Sequence, residues 1–275
     1  MKEIVVGIDF SKGALNALKY AAFIAKGLNC KITLIWVDKP HNPDGIYEEE
    51  NYRDAVHNRF KEIIKEYEPI VGKDNIQYKI RSGKVYEEIS SYAKINNSNY
   101  VVIGTHGISG FEELWIGSNA NRVVSTSPCP TFTLRQNYAI ENNLKRIVLP
   151  IDRSDKTLSK IPFAVELAKS FGAEIILIKM HETKFKFLNK RVNSATDKII
   201  SILSKEKIKY SVIEKQITNV TNDIISIVEK NNADLLVIMT DQQKQSFNVM
   251  LGEAAQQLVN HCPVPVLSIH EDDKI

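Results

Sequence analysis

The stretch Gly104-x2-Gly107-x9-Gly117-Ser118 has the residue types and spacing to hold a phosphate. Glycine has no Cβ, so successive backbone N–H groups can close on an anion. Gly117-Ser118 would open a helix over 118–126, whose free N–H donors and positive dipole end add to such a site. Ser118 and Asn119 are good N-cap types and could also donate to phosphate oxygens. Asp9 and Ser11 stand just after the first apolar run of the chain. A carboxylate repels a bare phosphate, so Asp9 suits a ribose hydroxyl, or a Mg²⁺ ion that bridges phosphates. Plainer roles compete with each of these. Gly104 and Gly107 can be turn glycines, and Asp9 with Ser11 can cap a helix. His106 can be a general base, a metal ligand or a loop hydrogen-bond donor. No second His or Cys sits near it in sequence, which disfavours the metal.

Other chemistries lack their signatures. There is no G-x-x-x-x-G-K-[ST], no G-x-G-x-x-G, no G-x-S-x-G and no kinase motif set. Residues 104–117 contain no Lys or Arg to stabilise charge in phosphoryl transfer, and Arg122 is the nearest candidate. Binding rather than fast turnover is the expectation, and no catalytic residue is assigned.

The elements that must position these residues come as a repeat. IVVGIDFS at 4–11 matches IVLPIDRS at 147–154. Each is followed by a helical stripe: Ala14, Leu18, Ala21, Ala22 and Ala25, then Ile161, Ala164, Val165, Leu167 and Ala168. Gly27 and Gly172 read as the C′ glycines that end these helices. Strand-like KITLIWVD at 31–38 and AEIILIKM at 173–180 follow, and YVVIGTHG at 100–107 matches DLLVIMTD at 234–241. SPCPTFTL at 127–134 matches NHCPVPVL at 260–267. Between these landmarks the pattern predicts helix, strand and helix near 48–67, 76–82 and 84–96. The second copy repeats them near 185–206, 209–217 and 222–231.

Each half therefore reads β-α-β-α-β-α-β-α-β, an α/β fold with a parallel, Rossmann-like sheet covered by helices on both faces. The expected domains are 1–138 and 144–275, joined by the polar stretch Gln136–Asn143. In an open parallel sheet a ligand binds beyond the C-terminal strand ends, where strand order reverses. Asp9, Ser11, Val37, Asp38 and Gly104 to Gly107 all point there.

The glycine motif, with VVIG before it and SPCP after it, resembles the ATP-binding signature of the universal stress protein family. VVGIDFS resembles that family's first strand, and the resemblance spans the chain as two tandem copies. It implies a sheet order of 3-2-1-4-5 in each half, with residues 131–135 meeting 264–269 antiparallel in an internal pseudo-dimer. It also implies ATP, ADP or AMP as ligand, with Mg²⁺. Asp9 would contact ribose or metal. Ile8 and Val37 would flank the adenine, and backbone groups of Val37 would read its edge. Gly104, His106 and Gly107 would wrap the phosphates, with Gly117, Ser118 and Asn119 at the helix start and Ser11 nearby. The family reading makes the protein a cytoplasmic sensor or regulator in the stress response, with an unidentified protein partner and room for further homodimerisation. A slow ATPase or nucleotidyl-transfer enzyme, and a nucleotide-free scaffold, are the competing readings on the same fold.

The second copy departs from the motif. Met239 replaces Gly104, Gln242 replaces Gly107, Glu253 replaces Ser118 and Ala254 replaces Asn119, while Gly252, Asp152 and Ser154 remain. A side chain at 239 and a negative charge at 253 both oppose phosphate binding. One nucleotide site per chain, in the first half, is the expectation.

Composition fits this reading. The 275 residues are 25% charged and 43% hydrophobic, as in ordinary globular chains. A net charge of +3 without a dense basic block argues against nucleic-acid binding. The stretch Lys184, Lys186, Lys190, Arg191 reads as a solvated helix face. No apolar run approaches the roughly 18 residues of a membrane span. Three cysteines, Cys30, Cys129 and Cys262, form no C-x-x-C pair and read as buried small hydrophobes. Trp115 reads as packing against the neighbouring domain or as a cover over the nucleotide, and Glu48 to Glu50 as the acidic first turn of a helix.

Overall fold

The computed structural model describes residues 1–38, 49–105, 118–141, 143–181, 189–240, 242–245 and 248–273. The first half runs β1 (Lys2–Gly7), α1 (Lys12–Leu28), β2 (Cys30–Asp38), α2 (Glu49–Val71), β3 (Ile76–Ser82), α3 (Val85–Ile95), β4 (Tyr100–Gly104), α4 (Ser118–Thr126) and β5 (Thr131–Leu134). The second runs β6 (Arg146–Ile151), a 3₁₀ turn (Asp155–Leu158), α5 (Ile161–Phe171), β7 (Glu174–His181), α6 (Lys190–Lys205), β8 (Tyr210–Gln216), α7 (Val220–Lys230) and β9 (Leu235–Met239). A hairpin of β10 (Gln242–Gln245) and β11 (Asn248–Leu251) follows, then α8 (Glu253–His261) and β12 (Val266–Ile269).

Ten strands form one mixed sheet in the order β3-β2-β1-β4-β5-β12-β9-β6-β7-β8. Each half has the 3-2-1-4-5 order that the family resemblance implies. The halves join where β5 meets β12 antiparallel, with Phe132 opposite Leu267 and Thr133 opposite Val266. All other pairings in this sheet are parallel.

Strand alternation divides the core between two faces. Ile4 and Val6 pack with residues of α1 and α2, and Ile147 and Leu149 with residues of α5 and α6. Val5 and Val148 turn the other way, toward residues of α3, α4, α7 and α8. All six side chains are fully buried, which is why both strand runs are apolar throughout.

The halves also meet through α1 and α5. Phe23 and Phe171 lie 4.9 Å apart, and Tyr100 faces Phe163 edge-on at 6.4 Å. Tyr100 Oη donates to Glu166 Oε2 at 2.5 Å, and Lys2 pairs with the other oxygen of that carboxylate. Gly27 serves this seam and does not end its helix. A Cβ there would sit 2.1 Å from the Phe171 ring, and the left-handed cap is Asn29, at φ 53°. Gly172 does cap α5, at φ 68°. The segment between β5 and β6 is held to the first half. Asn16 Nδ2 donates to the carbonyls of Arg135 and Tyr138, and Tyr138 packs edge-on against Tyr20.

Candidate functional site

β1 pairs with β2 along its whole length but with β4 only from Ile4 to Val6. Beyond Val6 and Val102 the two central strands part, because their crossovers run to opposite sides. The crevice they leave is rimmed by the β1–α1 turn, the end of β2 and the end of β4.

The β1–α1 turn is built by Asp9, Phe10 and Ser11. Asp9 Oδ1 accepts the Ser11 N–H at 3.0 Å, and Ser11 Oγ accepts the Ala14 N–H at 3.2 Å as the N-cap of α1. The capping role read from the sequence is thus present, and it commits one oxygen of Asp9. Phe10 lies in the left-handed region at φ 60°, a conformation costly for a bulky residue. Its ring packs on Phe60 at 5.1 Å, which helps pin it there. Nothing in the residue type of Phe10 signals this strain. In the second half Ser154 donates its N–H to Asp152 Oδ1 at 3.2 Å, but Arg153 is not among the positive-φ residues.

Ile8 is buried in the core beside Ile4 and Val6, and its N–H donates to the Ile35 carbonyl at 2.9 Å. Val37 is half-buried and sits opposite Arg81 in the sheet. Asp38 ends β2, with Arg53 of α2 at 3.8 Å. Gly104 ends β4 and has a packing reason of its own. A Cβ there would lie 2.6 Å from the carbonyl oxygen of Gly13, in the first turn of α1. Thr105 follows, buried, with its N–H on the Leu134 carbonyl. His106, Gly107, Trp115 and Gly117 lie outside the described residues.

Ser118 opens α4 and Asn119 is exposed in its first turn. Arg122 lies with its guanidinium 5.1 Å from the Tyr86 ring centre, a cation–π contact with α3. Of the residues named from the sequence, the structure gathers Ile8, Asp9, Ser11, Val37 and Gly104 around one strand-end crevice. No group of three or more His, Cys, Asp or Glu able to hold a metal occurs among the described residues.

The second crevice is furnished differently. β6 and β9 pair only at Ile147 and Val148 before parting. A 3₁₀ turn replaces the first turn of the helix, and Lys160 follows it, 3% exposed. Its Nζ donates to the Pro150 carbonyl at 2.5 Å and to Thr157 Oγ1 at 3.2 Å. Burial pushes this amine down to about 8, while Asp152 pulls it back up. The corresponding place in the first half holds Ala17, fully buried. Sequence reading missed Lys160. Its signal was the i, i+4 spacing to Ala164, which sets it on the buried face of the coming helix. Met239 is half-buried, and Gly252 is the N-cap of α8 with no atom near the place of a Cβ.

The cysteines are free and buried, and burial raises Cys129 and Cys262 to about 12 and Cys30 to about 11. They are inert as nucleophiles. No helix among the described residues is long and apolar enough to cross a membrane.

Comparison with known proteins agrees with this architecture. A family model described as the universal stress protein family matches residues 1–135 and again 143–270. Universal stress protein YxiE of Bacillus subtilis is 26% identical over 145 residues, which are 48% of this chain and 98% of that protein. Universal stress protein MJ0531 of Methanocaldococcus jannaschii is 29% identical over 140 residues, 49% of this chain and 82% of that protein. The crystal structure of a universal stress protein from Archaeoglobus fulgidus is similar across 98% of both chains, with a TM-score of 0.76 at 19% identity. A functionally unknown protein, PA1789, from Pseudomonas aeruginosa has a TM-score of 0.67 at 14% identity, over 99% of this chain and 93% of that one.

Proposed function

The chain belongs to the universal stress protein family, as two tandem copies, and from that premise we propose that it is a cytoplasmic regulator whose first copy holds one adenine nucleotide. The observation that supports this most is the asymmetry of the two crevices. The first copy keeps the full glycine spacing and has the fully buried Ala17 where the second has Lys160. The second has lost that spacing and places the buried Lys160 amine beside the end of β6. The strained Phe10 turn is also confined to the first copy. Strain of this kind persists where the surrounding structure enforces it, and clusters at ligand sites.

The ligand is ATP, ADP or AMP, with Mg²⁺ in the tri- and diphosphate forms. Asp9 fits its assigned part, since among the described residues Oδ1 accepts the Ser11 N–H, which leaves Oδ2 for a ribose hydroxyl or the metal. Backbone groups at Ile8 and Val37 flank the base, with the Ile8 side chain committed to the core. Gly104, His106 and Gly107 serve the phosphates from the β4 side. Gly117, Ser118, Asn119 and the dipole of α4 serve them from the helix side. A regulatory role fits better than fast hydrolysis, because Arg122 is drawn onto Tyr86. A ligand held between the end of β4 and the start of α4 would change the surface a protein partner meets.

Mass spectrometry of ligand released from freshly purified protein tests this. About one adenine nucleotide per chain, and none from Gly107→Gln, is the expected result. Turnover well beyond one equivalent, lost in Asp9→Ala, would instead make the protein an enzyme. Absence of nucleotide, with none bound when ATP is added back, would favour the scaffold.

A further inference from the structure

The second copy reaches α4 of the first at two places. The antiparallel β5–β12 seam sets Ser268 opposite Thr131. It therefore delivers the next residues of β12, Ile269 and His270, to the segment between α4 and β5. His270 is 6% exposed there, and its ring lies beside the backbone of Ser127 and Val124, at the C-terminal end of α4. The backbone around His270 is itself fastened. Its N–H donates to Asp273 Oδ2 at 2.8 Å, and the Asp273 N–H returns to the His270 carbonyl at 3.2 Å. Carbonyls at the end of a helix lack intrahelical donors, so an imidazole N–H is a fitting partner for them.

The second contact is the β10–β11 hairpin. It occupies the stretch of the second copy that corresponds to the glycine loop of the first, with Gln242 paired to Leu251 and Gln245 to Asn248. β11 pairs with β10 and also lies against α4 of the first copy. α4 is thus met by the second copy through β11 and at its C-terminal end, while Ser118 and Asn119 belong to its first turn.

We propose that the second copy is a clamp on α4: β11 against the helix and His270 at its end position the helix that serves the nucleotide of the first copy, and so set its affinity. This rests on the nucleotide site proposed above. His270 acts as a positioning residue, not a ligand contact. A copy that has lost the glycine spacing keeps a function this way, because a helix held at its far end presents its N-terminal donors in one place.

The test joins two readouts on the full chain. Hydrogen exchange of α4 amides is measured without ligand, and Mg-ATP affinity is measured by titration. The variants are His270→Ala, His270→Gln and a chain with residues 242–251 cut to a short Gly-Ser turn. The expected result is α4 exchange about tenfold faster in His270→Ala and in the shortened chain, with β1 and β2 amides unchanged. Affinity should fall about fivefold in the same two proteins. His270→Gln, which keeps an N–H donor, should recover most of both. If His270→Ala fails to fold, the Gln variant and the shortened chain carry the test. Unchanged α4 exchange, or faster exchange with unchanged affinity, would overturn the proposal. A native protein that binds no Mg-ATP would instead overturn the site on which it rests, and the exchange data would tell that failure apart.

Discussion

Gly104 at the end of β4 and Gly13 in the first turn of α1 approach so closely that a Cβ on Gly104 would stand 2.6 Å from the Gly13 carbonyl oxygen and 2.7 Å from its carbonyl carbon. Both atoms are backbone, so neither can swing away. Gly104→Ala should therefore push β4 and α1 apart and destabilise the ligand-free protein by about 1–3 kcal/mol, the usual cost of overpacking. Urea unfolding without nucleotide measures this. An unchanged midpoint would mean that the glycine is there for a ligand alone.

Lys160 should leave a signature in the pH dependence of stability. Its folded value of about 8 lies below the ordinary lysine value of 10.5, chiefly through burial. The unfolded chain then binds the proton more tightly, so stability rises with pH between about 8 and 10.5 and is lost again as pH falls through 8. A shift of this size corresponds to roughly 3 kcal/mol. Lys160→Met should remove that rise, read as the difference between variant and native unfolding free energies at pH 7.5 and pH 10. A constant difference would show that the amine titrates normally.

Asp273 runs the other way. Burial and, after the opposing His270 N–H bond, the nearby Asp272 raise its carboxyl to about 7. A raised folded value means that its contribution is complete below the unfolded value and is lost as pH rises through 7. Asp273→Asn should match the native protein near pH 4 and exceed it above pH 8 by up to about 4 kcal/mol. His270, lowered by its own burial, titrates in both proteins and cancels in the comparison. Equal stability of the two proteins across pH 4–8.5 would contradict this seat for the carboxyl.

Much of the fold was legible because repetition and strand patterning are local. IVVGIDFS and IVLPIDRS announce two β1-type strands, and the apolar run in each follows from burial on both faces. The Asp-x-Ser turn was legible too, since Asp9 and Asp152 each hold the N–H two residues on. What escaped the sequence depends on distant partners. Gly27 looks like a helix stop, yet it makes room for Phe171 from the other copy. Phe10 carries no mark of its left-handed backbone, because phenylalanine is a poor choice there and only packing on Phe60 and its neighbours offsets the cost. Lys160 had a spacing signal that was easy to pass over. The hairpin and the seat of His270 on α4 had none, because they arise from a chain crossing between copies.

The central claim is one adenine nucleotide per chain, held by the first copy. Calorimetric titration of nucleotide-stripped protein with Mg-ATP tests it most directly, beside Gly107→Gln and Gly252→Gln. The account predicts about one equivalent for the native chain and for Gly252→Gln, and none for Gly107→Gln. Two equivalents, none at all, or undiminished binding in Gly107→Gln would contradict it.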